Sequence, residues 1–365
     1  MRHNRPPPAL TRRQLLRHTL ALGMTGSALD VQALSPRALQ FPRDFGSHPE
    51  LRTEWWYVTG LLQAPGREWG FQVTFFRTRV DATQAMKSAF AAKQLLFAHA
   101  ALTDLQNRRF LHDQRVAREG FGLADAATED TGLKLRDWTL KRSPGDALAP
   151  YETRIKAADF ELALTLTPTQ PVLLQGQQGL SRKGPDASQA SFYYSQPQLR
   201  VQGAVTTLGV KTIVQGRAWL DHEWSESLLH PQAVGWDWIG MNLDDGSALT
   251  AFRLRTAQGQ TLWAGGSFRA PGMAPRIFTA EEVIFTPLKH WRSAQSGATY
   301  PVEWQVSTPA GSYKVVAAMH EQELDSRNST GAIYWEGLSR LTDMQGRTLG
   351  SGYLEMTGYA QALRL

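Results

Sequence analysis

The chain has no cysteine among its 365 residues. That excludes structural disulfides, thiolate metal centres, iron–sulfur clusters and a lipidated N-terminal cysteine. Long apolar runs are missing as well. The one near the start, Thr19–Leu29, spans 11 residues, short of the roughly 20 that a membrane-spanning helix needs. No block of Lys and Arg resembles a nucleic-acid patch. There is no G-x-x-x-x-G-K-S/T phosphate loop, no G-x-G-x-x-G and no G-x-S-x-G elbow. His222-Glu223 and His320-Glu321 begin like H-E-x-x-H but lack the second His. Nucleotide enzymes, ordinary serine esterases and zincins therefore lose ground. Asp221, His222, Glu223 and His99 are of metal-ligand type, yet no ligand spacing supports a metal site.

What the N-terminus does carry is a basic segment, an apolar run and then small residues. Thr11-Arg12-Arg13-Gln14-Leu15-Leu16-Arg17 reads as a twin-arginine motif, with Val31-Gln32-Ala33 as the expected cleavage site. Residues 1–33 are thus expected to be an export signal, read by the twin-arginine machinery, which places the mature chain in the periplasm or outside the cell. The segment holds five of the 39 basic residues and one of the 33 acidic ones, so the remainder is nearly neutral. The high isoelectric point then says little about partners. No nucleic-acid partner and no transmembrane segment is expected.

Beyond a short linker, residues 34–44, the dominant pattern has period 2. Phe160, Leu162, Leu164 and Leu166 alternate with polar residues, and Phe71–Phe76, Val302–Val306 and Tyr313–Ala317 behave alike. Turn signals at Pro65-Gly66, Asp245-Gly246, Pro271-Gly272 and Gln345-Gly346 separate these runs. An all-β barrel or sandwich follows, with short helices expected near Ala85–Leu95 and Ser225–His230. An internal echo suggests duplication. Glu54-Trp55-Trp56 leads through a turn to Phe75-Phe76-Arg77, and Asp237-Trp238 leads through a turn to Phe252-Arg253. Two related β-domains, 45–218 and 219–365, would account for it.

The chemistry-bearing residues cluster between Trp219 and Gly246. Asp221, His222, Glu223 and Trp224 are consecutive, and Asp237 lies between Trp236 and Trp238. Indole walls exclude water, and a carboxyl group held there keeps its proton to higher pH. Protonating an alkene, stabilising the cation and trapping it with water would use such a set. Asp221 or Asp237 would supply the proton, Trp224, Trp236 and Trp238 their π faces, and His222 would orient or deprotonate the water, with Glu223 a further member of the candidate catalytic set. No cofactor is required. The alternative is structural: the acids fasten turns and the indoles plug a barrel. Glu54, Trp56, His99 and Tyr194 are further candidates for contacting the substrate. Glu54 could instead pair with Arg52 or Arg77, Trp56 could be strand packing, and His99 a hydrogen-bonded core residue. Arg182-Lys183 reads as a solvated turn, and Glu336 and Glu355 as partners of Arg side chains.

Several ordered segments carry a resemblance. They include His48-Pro49-Glu50-Leu51-Arg52-Thr53-Glu54-Trp55-Trp56-Tyr57, Phe97-Ala98-His99, Ser191-Phe192-Tyr193-Tyr194-Ser195, Trp219–Trp224, Gly235-Trp236-Asp237-Trp238, Tyr334-Trp335-Glu336-Gly337 and Gly352–Tyr359. Together they resemble the AttH-like, carotenoid 1,2-hydratase-related family over roughly residues 45–360. The resemblance implies two lipocalin-like antiparallel β-barrels packed together, and acid-catalysed hydration or hydrolysis of an apolar polyene, terpenoid or lipid. It also implies that Asp221, His222 and Trp224, with Asp237, carry the chemistry. Glu223 stands where the carotenoid enzymes have Asn. A non-catalytic carrier of a hydrophobic ligand is the competing function.

Overall fold

A computed structural model describes residues 34–227 and 229–363. The leader expected over residues 1–33 lies outside them. Strands β1 (Thr53–Ala64), β2 (Arg67–Arg79), β3 (Gln94–Asp104), β4 (Arg109–Arg118), β5 (Ala124–Ala126), β6 (Gly132–Leu135), β7 (Trp138–Arg142), β8 (Tyr151–Lys156) and β9 (Phe160–Thr167) are followed by the short β10 (Leu173–Leu174) and β11 (Leu180–Arg182) and the long β12 (Ala190–Thr207) and β13 (Val210–Ser227). They form one antiparallel sheet in the order β4-β3-β2-β1-β13-β12-β9-β8-β7-β6-β5, with β10 and β11 added to β12. β3 and β4 curl round to meet β6, nearly closing a barrel.

The second sheet contains β14 (Gly235–Leu243), β15 (Ala248–Arg255), β16 (Thr261–Arg269), β17 (Arg276–Phe278), β18 (Ile284–Arg292), β19 (Thr299–Thr308), β20 (Gly311–Ala317), β21 (Glu323–Ser326), β22 (Ala332–Thr342) and β23 (Thr348–Met356). Its order is β17-β16-β15-β14-β23-β22-β20-β19-β18, with β21 on β22. The two edges, β17 and β18, are consecutive in the chain, so the sheet bends back on itself. The fold is two lipocalin-like antiparallel β-barrels. The chain passes from one sheet to the other between Ser227 and Gly235, so Trp219–Trp224 lies in the first sheet and does not open the second.

Three apolar layers hold this together. One fills the first barrel around Val58, Phe75 and Leu220; another fills the second around Ile239, Trp304 and Leu354. Between them Tyr57, Trp219, Trp238, Phe252, Leu338 and Tyr353 form a third. This explains where alternation is visible. β9 faces solvent on one side and alternates buried and exposed residues throughout. β13 runs unbroken through eight buried residues from Ala218 to Ser225, because both its faces are covered. Truncating a fully buried indole such as Trp56, Trp224 or Trp335 would cost about 3–5 kcal/mol.

The short helices expected near Ala85–Leu95 and Ser225–His230 do not form. Only a three-residue 3-10 turn, Asp81–Thr83, precedes β3, whose pairing with β2 claims Gln94 and Leu95. Ser225 remains in register with Thr53 on β1. Among the described residues no helix is long and apolar enough to cross a membrane.

Candidate active site between the two barrels

Side chains alternate along a strand, and this divides the segment that looked like a single constellation. Asp221 and Glu223 leave β13 on the side facing the second barrel; His222 and Trp224 point into the first barrel. On β14 Trp236 and Trp238 face the gap, while Asp237 points into the second barrel.

The outward-facing residues enclose a cavity of about 320 Å³, enough for a small apolar ligand. Its walls include Trp55, Phe76, Trp236, Trp238, Phe252 and Tyr334. Asp221 is held there by three donors. Ser195 Oγ (2.5 Å) and Trp219 Nε1 (2.7 Å) reach Oδ1, and Tyr193 OH (2.7 Å) reaches Oδ2. Burial outweighs these bonds and pushes the carboxyl up to about 7. Glu223 is neutralised by Lys183 at 2.9 Å, and Ser191 donates to it. The Lys183 ammonium also lies 4.3 Å from the Phe252 ring centroid and 4.6 Å from that of Tyr193.

Two further acids belong to this cavity. Glu336 on β22 and Glu355 on β23 are direct cross-strand partners and both line it. Burial, then the neighbouring Glu355 charge, drives Glu336 well above the usual carboxylate range. Burial brings Glu355 to about 7. The expected Arg partners are absent: among the described residues neither acid makes an ion pair. No local signal in the sequence marks these two, because strand register alone brings them together. Lys183, read as part of a solvated turn, is in fact buried against Glu223. His99 lines the cavity, joined to Tyr334 OH and Ser329 Oγ at 2.8 Å each. Burial pushes it down to about 3, so it is neutral.

The remaining candidates form a separate network inside the first barrel. Glu54 Oε1 accepts from His48 Nδ1 and His222 Nε2, both at 2.8 Å, and Oε2 accepts from Arg77 Nε at 2.8 Å. His48 Nε2 continues to Asp44, which holds Arg37. Burial alone would raise Glu54, but its bonds to His222 and His48 overcome that and hold it low. Burial takes His222 down to about 4, leaving it neutral, a donor to Glu54 and an acceptor from Tyr194 OH at 3.1 Å. Trp56 stacks on His222 with centroids 4.4 Å apart, and Trp224 on His48 at 4.0 Å. His48, Glu54 and His222 bring metal-ligand atoms within 4.8 Å of one another, although Glu54 already accepts from four donors, the fourth being the His48 backbone N–H to Oε2 at 2.9 Å. His222, Glu54, Trp56, Trp224 and Tyr194 are therefore interior residues that do not touch the cavity.

Asp237 is a correction of the same kind. It accepts from Arg253 Nε at 2.7 Å and from Tyr359 OH at 2.8 Å, with Arg255 at 3.6 Å. Fully buried and held by two guanidinium groups, it fastens the barrel and does not line the cavity.

The AttH-like family profile matches residues 32–359. Among solved structures, an AttH protein of Nitrosomonas europaea is 47% identical over 90% of this chain and 99% of its own, with a TM-score of 0.82. Kievitone hydratase of Nectria haematococca shares the fold at 14% identity, covering 91% of this chain and 94% of its own, with a TM-score of 0.68. CghA bound to Sch210972 does so at 11% identity, over 85% and 88% of the two chains, with a TM-score of 0.54. A search among curated protein sequences returns no match. The chain belongs to the AttH-like family.

Proposed function

We infer that the protein is an exported enzyme that adds water to, or removes it from, a carbon–carbon double bond of an apolar small molecule held between the barrels. One observation carries this reading: Asp221, Glu336 and Glu355 share an aromatic-walled cavity without a cation of their own. Acids whose surroundings separate their protonation behaviour divide the labour of acid and base. Glu336, facing another carboxyl, keeps its proton and donates it. Asp221, nested among three donors and balanced near pH 7, accepts one from water. The indoles exclude bulk water so that one ordered molecule reacts. No cofactor enters the scheme. A neighbour of the same fold is a hydratase, which makes water addition the reaction to test first.

The test starts from the exported protein and whatever apolar compounds are extracted with it. Incubated in 18O-labelled water, wild-type protein should place label in the product, and Asp221→Asn should bind the same compound with turnover reduced about 100- to 10,000-fold. Binding without any conversion by wild-type protein would establish the carrier reading in its place.

A further inference from the structure

We propose that the molecule processed in the cavity carries a carbonyl group conjugated to its double bond, and that Tyr57 and Glu336 grip the carbonyl oxygen. The reaction rests on the hydration reading above; the ligand class rests on which polar atoms of the wall are left without partners.

Most polar groups of that wall are spoken for. Both His99 nitrogens, the Tyr334 and Tyr193 hydroxyls, Asp221 and Glu223 all have hydrogen-bond partners. The Tyr57 hydroxyl and Glu336 Oε1 have none of full hydrogen-bond geometry among the described residues; each has only the other, and for Glu336 also Tyr334, close enough to interact. Tyr57 and Glu336 are only 6% and 2% exposed. Tyr57 comes from β1 of the first barrel and Glu336 from β22 of the second, so they approach the ligand from opposite walls. Glu336 is among the charges that bear on the Tyr57 phenol, which places the two tips close together. Other buried side-chain atoms also lack a partner, but among the described residues only these two belong to side chains that line the cavity, which marks them as a ligand contact.

The protonation of the pair selects the partner. Glu336 faces Glu355 across the strand and has no cation, and the Tyr57 phenol is buried, so both present O–H groups. Two converging donors fit a neutral oxygen acceptor. A hydrocarbon would leave each donor unsatisfied, at about 1–3 kcal/mol apiece. A carboxylate ligand would meet Asp221, Glu223 and Glu355. A carbonyl oxygen accepts two hydrogen bonds and demands nothing in return.

The chemistry then balances without an external reagent. Asp221 takes a proton from water as the water oxygen bonds to the β-carbon. The π pair of the double bond shifts toward the carbonyl, whose oxygen takes the Glu336 proton to give an enol. Ketonisation returns that proton to Glu336, and the proton on Asp221 passes to the α-carbon. One water has been added, and both carboxyl groups are restored. Tyr57 donates to the oxygen throughout, where negative charge develops.

The full chain can be titrated with β-ionone, the hydrocarbon of the same skeleton lacking the oxygen, and the corresponding primary amine, following quenching of tryptophan fluorescence. The ketone should bind at least about tenfold tighter than the hydrocarbon, and its infrared carbonyl stretch should move to lower frequency. Tyr57→Phe and Glu336→Met should each weaken the ketone about five- to twentyfold and reverse the shift, leaving hydrocarbon binding intact and the melting temperature no lower. Equal binding of ketone and hydrocarbon, tighter binding of the amine, or an unshifted stretch overturns the proposal. Labelled water incorporated into compounds without a carbonyl would also overturn it, while sparing the hydratase reading. A shifted stretch with no water addition to any enone would do the reverse.

Discussion

The two barrels open with the same hairpin and use it differently. Glu54 pairs with Arg77 across β1 and β2, and Asp237 with Arg253 across β14 and β15. One residue further along, Trp55 with Phe76 and Trp238 with Phe252 turn outward to the shared cavity. On the adjoining strands Glu223 lies opposite Trp55 and Glu355 opposite Trp238. Here the halves diverge. Glu223 is matched by Lys183, whereas Glu355 meets Glu336. The same scaffold thus yields a neutralised wall on one side and a pair of proton-holding acids on the other. Position in the barrel decides burial; the neighbouring strand decides chemistry.

Removing the interior carboxylates should have the largest effects. Glu54→Gln strands the Arg77 guanidinium, whose side chain is 1% exposed, and should cost about 3–5 kcal/mol in denaturant unfolding. Asp237→Asn should cost less, about 2–3 kcal/mol, because Arg253 is 11% exposed and can reach water. Equal or reversed costs would break the parallel between the hairpins.

The outward acids should respond with opposite signs. Glu355 is raised, so the folded state holds a proton that the unfolded chain releases above about pH 4.5. Stability from this group is present at low pH and is lost as pH rises toward 7. Glu355→Gln should therefore stabilise by about 1–3 kcal/mol at pH 8 and have little effect at pH 4. Glu223→Gln should destabilise by a similar amount at pH 8, since Lys183 is left buried without its partner. Thermal melts of the two variants at both pH values decide this.

Gly240→Ala should act on the same scale. The new Cβ would lie 2.3 Å from the Trp238 ring and 3.2 Å from that of Trp219. The Trp238 indole must swing into the cavity, costing about 1–3 kcal/mol and weakening any ligand. An unchanged affinity would mean that Trp238 does not shape the pocket.

The β character was legible wherever one face of a strand is wet, as in Phe160–Thr167. It was obscured along β13 and β14, where both faces are covered and alternation vanishes. In sequence the Trp219–Trp224 segment reads as one site. Strand geometry was enough to separate Asp221 and Glu223 from His222 and Trp224. The same rule separates Asp237 from its flanking indoles. Glu336 and Glu355 could not be paired from sequence, because their meeting depends on the register of β22 with β23. Lys183 was equally hidden: its approach to Glu223 is set by the path from β11 into β12.

The central claim is that burial in this cavity keeps carboxyl groups protonated near neutrality. Infrared difference spectroscopy across a pH titration, comparing wild type with Asp221→Asn, tests it directly. The wild type should show one protonated carboxyl band more than the variant, fading with a midpoint near pH 7, beside the Glu336 and Glu355 bands that both proteins keep. An Asp221 already ionised at pH 5 would contradict it.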